Sequence, residues 1–224
     1  MALPAQHRRS PGRAAFLWLA LFVALLSGFG SPAVAQAASG HIRVSLLTST
    51  ERPRPGQTFL VGLRLTPDPG WHSYWSNPGE SGLAPTVDWQ APAALKFGPL
   101  QHPAPTLLKV IGITSYVHAG DHVLVSRVRV ASSVASGTPL PIEARINWLA
   151  CSESLCVPGR AVLHLELTAG DGAPGSSATI LQAAERRLPG SARDGTFTVA
   201  RGEIALRLPA GLQIDTKKAS FFPD

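Results

Sequence analysis

Two residues in this sequence can do sulfur chemistry, Cys151 and Cys156, within Trp148-Leu149-Ala150-Cys151-Ser152-Glu153-Ser154-Leu155-Cys156-Val157-Pro158-Gly159. The run from Glu143 to Ala150 leads in as a strand and the run from Ala161 to Leu167 leads out, so both thiols belong at a hairpin tip. A structural disulfide is the ordinary use of two cysteines in an exported protein. Position argues for another use. Closing a six-residue loop restrains the unfolded chain by about 2 kcal/mol at most, against nearly 5 for a loop of a hundred residues. A pair at a tip is also open to a partner's thiolate, and tight local bridges are more often reducible. On residue chemistry alone, a structural staple and an exchangeable dithiol both stand.

The elements that must position the pair are strands. Apolar residues alternate at Ile42, Val44 and Leu46, at Phe59, Val61, Leu63 and Leu65, at Val123 and Val125, at Ile146, Trp148 and Ala150, and at Leu163, Leu165 and Leu167. Period two predicts strands. The breaks between them are rich in Pro and Gly, and no helical periodicity occurs from residue 40 to 168. The fold class expected is all-β, an immunoglobulin-like antiparallel β-sandwich over residues 36–168. Residues 169–177, rich in Gly, Ser, Ala and Pro, read as a linker. Residues 178–224 then read as the start of a second β unit: helical spacing over Ser177 to Leu188, strands at Thr196 to Val199 and Glu203 to Leu208, and an end at Phe221 and Phe222 with nothing after them to bury them.

Arg8, Arg9 and Arg13 precede an apolar run from Ala14 to Leu26, followed by Gly28, Gly30 and Pro32. This is the layout of a secretory signal peptide over residues 1–35, with cleavage expected after Ala35 or Ala37. Thirteen apolar residues fall short of the ~20 that a membrane-crossing helix needs. The whole chain carries 20 Lys+Arg against 14 Asp+Glu, and removal of the leader leaves 17 against 14, a net charge of +3. The remaining basic residues are spread along strands and loops, which excludes a nucleic-acid surface. About 190 mature residues can bury a core without covalent help.

Metal binding is the competing chemistry. The cysteines with His164, or the pair His118 and His122, supply ligand types, but a zinc site needs a second ligand pair at characteristic spacing. Met1, the only methionine, leaves with the leader, which excludes a thioether copper site. No metal and no cofactor are expected.

A second motif precedes the cysteines: Trp71-His72-Ser73-Tyr74-Trp75-Ser76-Asn77-Pro78-Gly79-Glu80-Ser81-Gly82, followed by Pro85-Thr86-Val87-Asp88-Trp89. Its Asn, Pro and Gly suit a turn, and Trp71, Tyr74 and Trp75 read as core residues that also floor the thiol site. This motif followed by Cys-x4-Cys-Val-Pro-Gly resembles the N-terminal periplasmic domain of the DsbD family. Within the family it resembles the branch that includes the suppressor of copper sensitivity proteins, and copper enters only through that resemblance.

The resemblance covers about residues 40 to 168. It implies a periplasmic protein-disulfide reductase whose cysteines take electrons from a thioredoxin-like donor domain fed by a membrane domain, and pass them to periplasmic disulfide isomerase or reductase proteins. It also implies that Cys156 attacks and Cys151 resolves, with Trp148 and Pro158 flanking the pair. This chain departs in its short cysteine spacing and in the segment that should cap the pair. That segment, Thr106 to Gly112, offers aliphatic Val110 and Ile111 where familiar members carry acidic and aromatic residues. Contact with a membrane is expected only through segments beyond Asp224, where the natural protein should continue into the rest of the second β unit, membrane-spanning helices and a thioredoxin-like domain, making the full-length protein inner-membrane anchored.

Overall fold

The computed structural model describes residues 36–190, 196–207 and Phe222. The leader read over residues 1–35 and Phe221 lie outside the described residues. The first strands are β1 (Gln36–Ser39), β2 (Ile42–Thr48), β3 (Thr58–Pro67), β4 (Ser73–Gly79), β5 (Thr86–Gln90), β6 (Leu95–Phe97) and β7 (Thr106–Val110). Then come β8 (Ile113–His118), β9 (His122–Val130), β10 (Pro139–Cys151), β11 (Cys156–Thr168), the helix α1 (Ala178–Glu185), β12 (Thr196–Ala200) and β13 (Glu203–Arg207).

One sheet runs β1-β2-β3-β9-β6 and a second runs β11-β10-β5, every pairing antiparallel. The alternating residues read from the sequence face one another between them. Val44, Leu46, Val61, Leu63, Leu65, Leu124 and Val128 of the first sheet meet Leu140, Ile142, Ala144, Ile146, Trp148 and Leu163 of the second in one buried cluster. Each Val, Leu or Ile side chain among them gains about 1.5–3 kcal/mol on leaving water, which makes this face the principal drive for folding. At the sandwich edge Trp89 of β5 stacks on Phe97 of β6, ring centroids 4.7 Å apart. A third sheet, β4-β8-β7, joins the second where His72, just before β4, bridges Cys151.

The segments that follow the last long strand pack back onto the strands before them. Residues 169–177 are tied to the sandwich: Ala169 is buried in the main core, and the N–H groups of Gly170, Gly172 and Gly175 donate to the carbonyls of Pro53, Arg52 and Ser49. The helix read as the opening of a new unit lies on the outer face of the first sheet, where Leu181 and Ala184 pack with Leu47, Leu60 and Val125. That face therefore needs apolar residues too, which is why β3 is buried on both sides instead of alternating cleanly. Phe222, expected to be exposed, is half-buried, its ring edge-on to Trp75 and Tyr116 at 5.9 and 5.3 Å, because those two aromatics offer it an apolar partner. No described helix is long and apolar enough to cross a membrane.

Candidate thiol redox site

β10 and β11 form a hairpin of thirteen facing pairs, and Cys151 opposite Cys156 is the last. The two are disulfide-bonded with Cα atoms 4.1 Å apart. Beyond them the chain turns through Ser152–Leu155. The Ser152 N–H donates to the Leu155 carbonyl at 2.8 Å, and the Ser152 hydroxyl oxygen accepts from the Leu155 N–H at 3.2 Å. Serine is apt at this position because its hydroxyl substitutes for a backbone acceptor in a tight turn. The two cysteines differ in access: Cys151 is 2% exposed, whereas Cys156 is an exposed residue.

Cys151 owes its burial to the third sheet. It packs with Tyr74 of β4 and Val117 of β8, and Leu108 of β7 and Leu149 of β10 close the cluster. His72 and Cys151 exchange both backbone hydrogen bonds, at 2.9 and 3.1 Å, which fixes the third sheet against the hairpin tip. Burial pushes the Tyr74 phenol above its ordinary pKa and the His72 imidazole below its own.

The other expected site residues divide by face. Trp148 points into the main core, and Trp71 packs against that core while stacking on His41 at 3.7 Å. Trp75 joins Tyr116 and Phe222. Of the three aromatics in the motif, Tyr74 packs with Cys151. Pro158 is exposed and lines a groove with Leu83, Trp148 and Gly159. Val110 and Ile111 end the β7–β8 hairpin, where Ile111 is 97% exposed and covers nothing. The aliphatic residue of the cap segment that reaches the Cys151 cluster is Leu108.

Sequence reasoning missed three features. His72 lies in the Trp-rich motif, yet its pairing with a residue of a distant strand has no local signal. Glu80, read as part of a turn, clamps the third sheet: its carboxylate accepts from the Thr114 N–H at 2.6 Å, and its own N–H donates to the Thr114 carbonyl at 2.8 Å. His102, His118 and His122 form a buried stack, centroids 6.4 and 4.4 Å apart in turn. His122 spends both ring nitrogens, one on the Gly120 carbonyl at 2.8 Å and one on the Ser73 hydroxyl at 3.0 Å. His164 faces Glu143 eight residues along β11 from Cys156, about 26 Å at strand rise, so it shares no ligand set with the cysteines. Among the described residues no group of three or more His, Cys, Asp or Glu is placed to hold a metal ion.

A β-sandwich with a disulfide at a hairpin tip, one cysteine exposed and the other packed beneath a small sheet, fits a domain of the thiol–disulfide exchange class. Residues 43–167 match the family model of the N-terminal domain of the thiol:disulfide interchange protein DsbD, and the chain belongs to that family. The fold is similar to the crystal structure of the N-terminal periplasmic domain of ScsB from Proteus mirabilis, with a TM-score of 0.57 at 18% identity, covering 79% of this chain and 68% of that one. The reduced DsbD N-terminal domain of Neisseria meningitidis matches more distantly, with a TM-score of 0.32 at 12% identity, over 58% of this chain and 89% of that one. No curated protein sequence matches the chain.

Proposed function

We propose that this chain is the redox-shuttle portion of a periplasmic protein-disulfide reductase. Reduced Cys156 attacks the disulfide of a periplasmic isomerase or reductase, and Cys151 then displaces that partner by closing onto Cys156. A thioredoxin-like donor domain, linked to the membrane, returns the pair to the dithiol. The observation that carries the assignment of roles is the unequal exposure of the two cysteines, because an incoming disulfide meets the exposed one first. Cleavage of the leader after Ala35 fits best, since removal through Ala37 would take half of β1. We read the second β unit as beginning at β12, because α1 is packed into the sandwich.

A Cys151→Ala variant should trap covalent adducts with periplasmic thiol proteins that disappear under reductant. Absence of adducts with Cys156 reduced would remove the basis for this reading. The burial of Cys151 also suits a purely structural bridge, which predicts a potential below about −300 mV. A redox titration separates the two, because a shuttle must lie within reach of its donor and acceptor.

A further inference from the structure

We propose that His72 is the proton-handling partner of Cys151, accepting the thiol proton as Cys151 closes onto Cys156. This rests on the thiol-exchange reading above and names a group that the reading leaves out.

The geometry is a lateral row across three adjacent segments, His72, Cys151 and Cys156. Residues of an antiparallel pair that exchange both N–H···O bonds lie directly opposite, with their side chains on the same face. His72 and Cys151 meet that condition. With its backbone groups turned toward His72, Cys151 faces Cys156 as the closer, non-hydrogen-bonded kind of pair, in keeping with the 4.1 Å Cα separation. The Cys151 side chain is therefore flanked by the His72 side chain on one side, at the Cβ spacing of about 4.5–5.5 Å usual for directly opposed residues, and by its disulfide partner Cys156 on the other.

The imidazole is also held in place. His72 is 8% exposed, and its ring meets the Tyr74 ring edge-on at 5.3 Å. The titratable groups that the row and its ring contact bring to His72 are Tyr74, Cys151 and Cys156, with Glu153 exposed on the turn beyond. Burial alone lowers the His72 pKa, with no charged neighbour contributing, so the ring is neutral near pH 7 and able to take a proton.

When a partner sulfur is disulfide-bonded to Cys156, the Cys151 S–H proton passes to the imidazole and the Cys151 sulfur attacks the Cys156 sulfur. The bond from Cys156 to the partner breaks, and the partner leaves as a thiolate, protonated from the imidazolium or solvent. The pair is oxidised by two electrons and the partner disulfide is reduced by two. In reverse, a donor thiolate attacks Cys156, and the imidazolium protonates the departing Cys151 sulfur.

Reaction of the reduced full chain with the aryl disulfide dithiobis(nitrobenzoate) tests this without any protein partner. Attack by Cys156 releases a first coloured thiolate, and ring closure by Cys151 releases a second. In His72→Gln and His72→Asn the first release should be unchanged. The second should slow at neutral pH by about ten-fold or more, as expected for loss of general base assistance. Its pH profile should lose an inflection below the ordinary histidine range that the wild-type profile shows, with Tm retained. Closure kinetics superimposable on wild type across pH would overturn the proposal. Should both variants fail to fold, the wild-type profile decides, because absence of that inflection overturns the proposal equally. Trapping of periplasmic proteins by Cys151→Ala is unaffected by either result, so the two readings fail separately.

Discussion

At the scale of single residues, the site depends on contacts that leave no room for change. Gly159 faces Trp148 across the hairpin, three pairs from the disulfide, and a Cβ built on it would lie 2.2 Å from the buried indole. Gly159→Ala must therefore push the indole out of its place in the main core. It should destabilise the protein by about 1–3 kcal/mol in urea unfolding, with a shifted tryptophan emission. Glu80 illustrates how a residue in a turn motif acquires a tertiary role, since its carboxylate is committed to the Thr114 N–H.

At the scale of elements, the β7–β8 hairpin and α1 behave oppositely. The hairpin turns through Ile111 and Gly112, both at positive φ, 51° and 83°, the two-residue geometry that favours Asn-Gly. A β-branched residue is strained there, and Ile111 at 97% exposure packs against nothing that would offset the strain. Ile111→Asn should raise stability by up to about 1 kcal/mol in chemical denaturation. The α1 helix is the reverse case. Leu181 is fully buried against the first sheet, so Leu181→Ala should lower the stability of the sandwich by about 2–5 kcal/mol. An unmoved urea transition would show that the helix is not part of the cooperative unit.

At the scale of the whole molecule, the buried histidine stack links stability to pH. Burial pushes the His118 pKa down to about 3, and the neighbouring His122 and His102 contribute to the lowering. His122 is lowered as well, burial outweighing its bond to the Gly120 carbonyl and the charge of Asp121. Asp121, paired with Arg64 at 2.7 Å, is the carboxylate beside the stack. A histidine with a depressed folded pKa leaves the unfolded chain binding more protons between pH 6.5 and 3. The stabilisation from this group is therefore fully present above pH 6.5 and is lost as pH drops through that window, by at most about 1.4 kcal/mol for each pH unit. Melting temperatures measured from pH 7.5 down to 4 should decline, and His118→Leu should flatten the decline.

By itself the sequence determined the strand pattern, the hairpin tip and the pair of residues with redox chemistry. These are local: period-two apolar runs such as Ile142 to Ala150 can satisfy themselves only as a strand with one buried face, and Cys151 and Cys156 sit on either side of one turn. The motif from Trp71 to Gly82 marked the family, and the packing then distributed its aromatics, Tyr74 to Cys151 and Trp75 to Tyr116 and Phe222. Only the tertiary structure decided that His72 pairs with Cys151, that α1 lies on the first sheet, and that Leu108 rather than Ile111 packs against the Cys151 cluster. Each of these joins segments far apart in the chain. Such contacts are set by which exposed face the folded sheets leave to be covered, a property of the assembled layers that no window of residues contains.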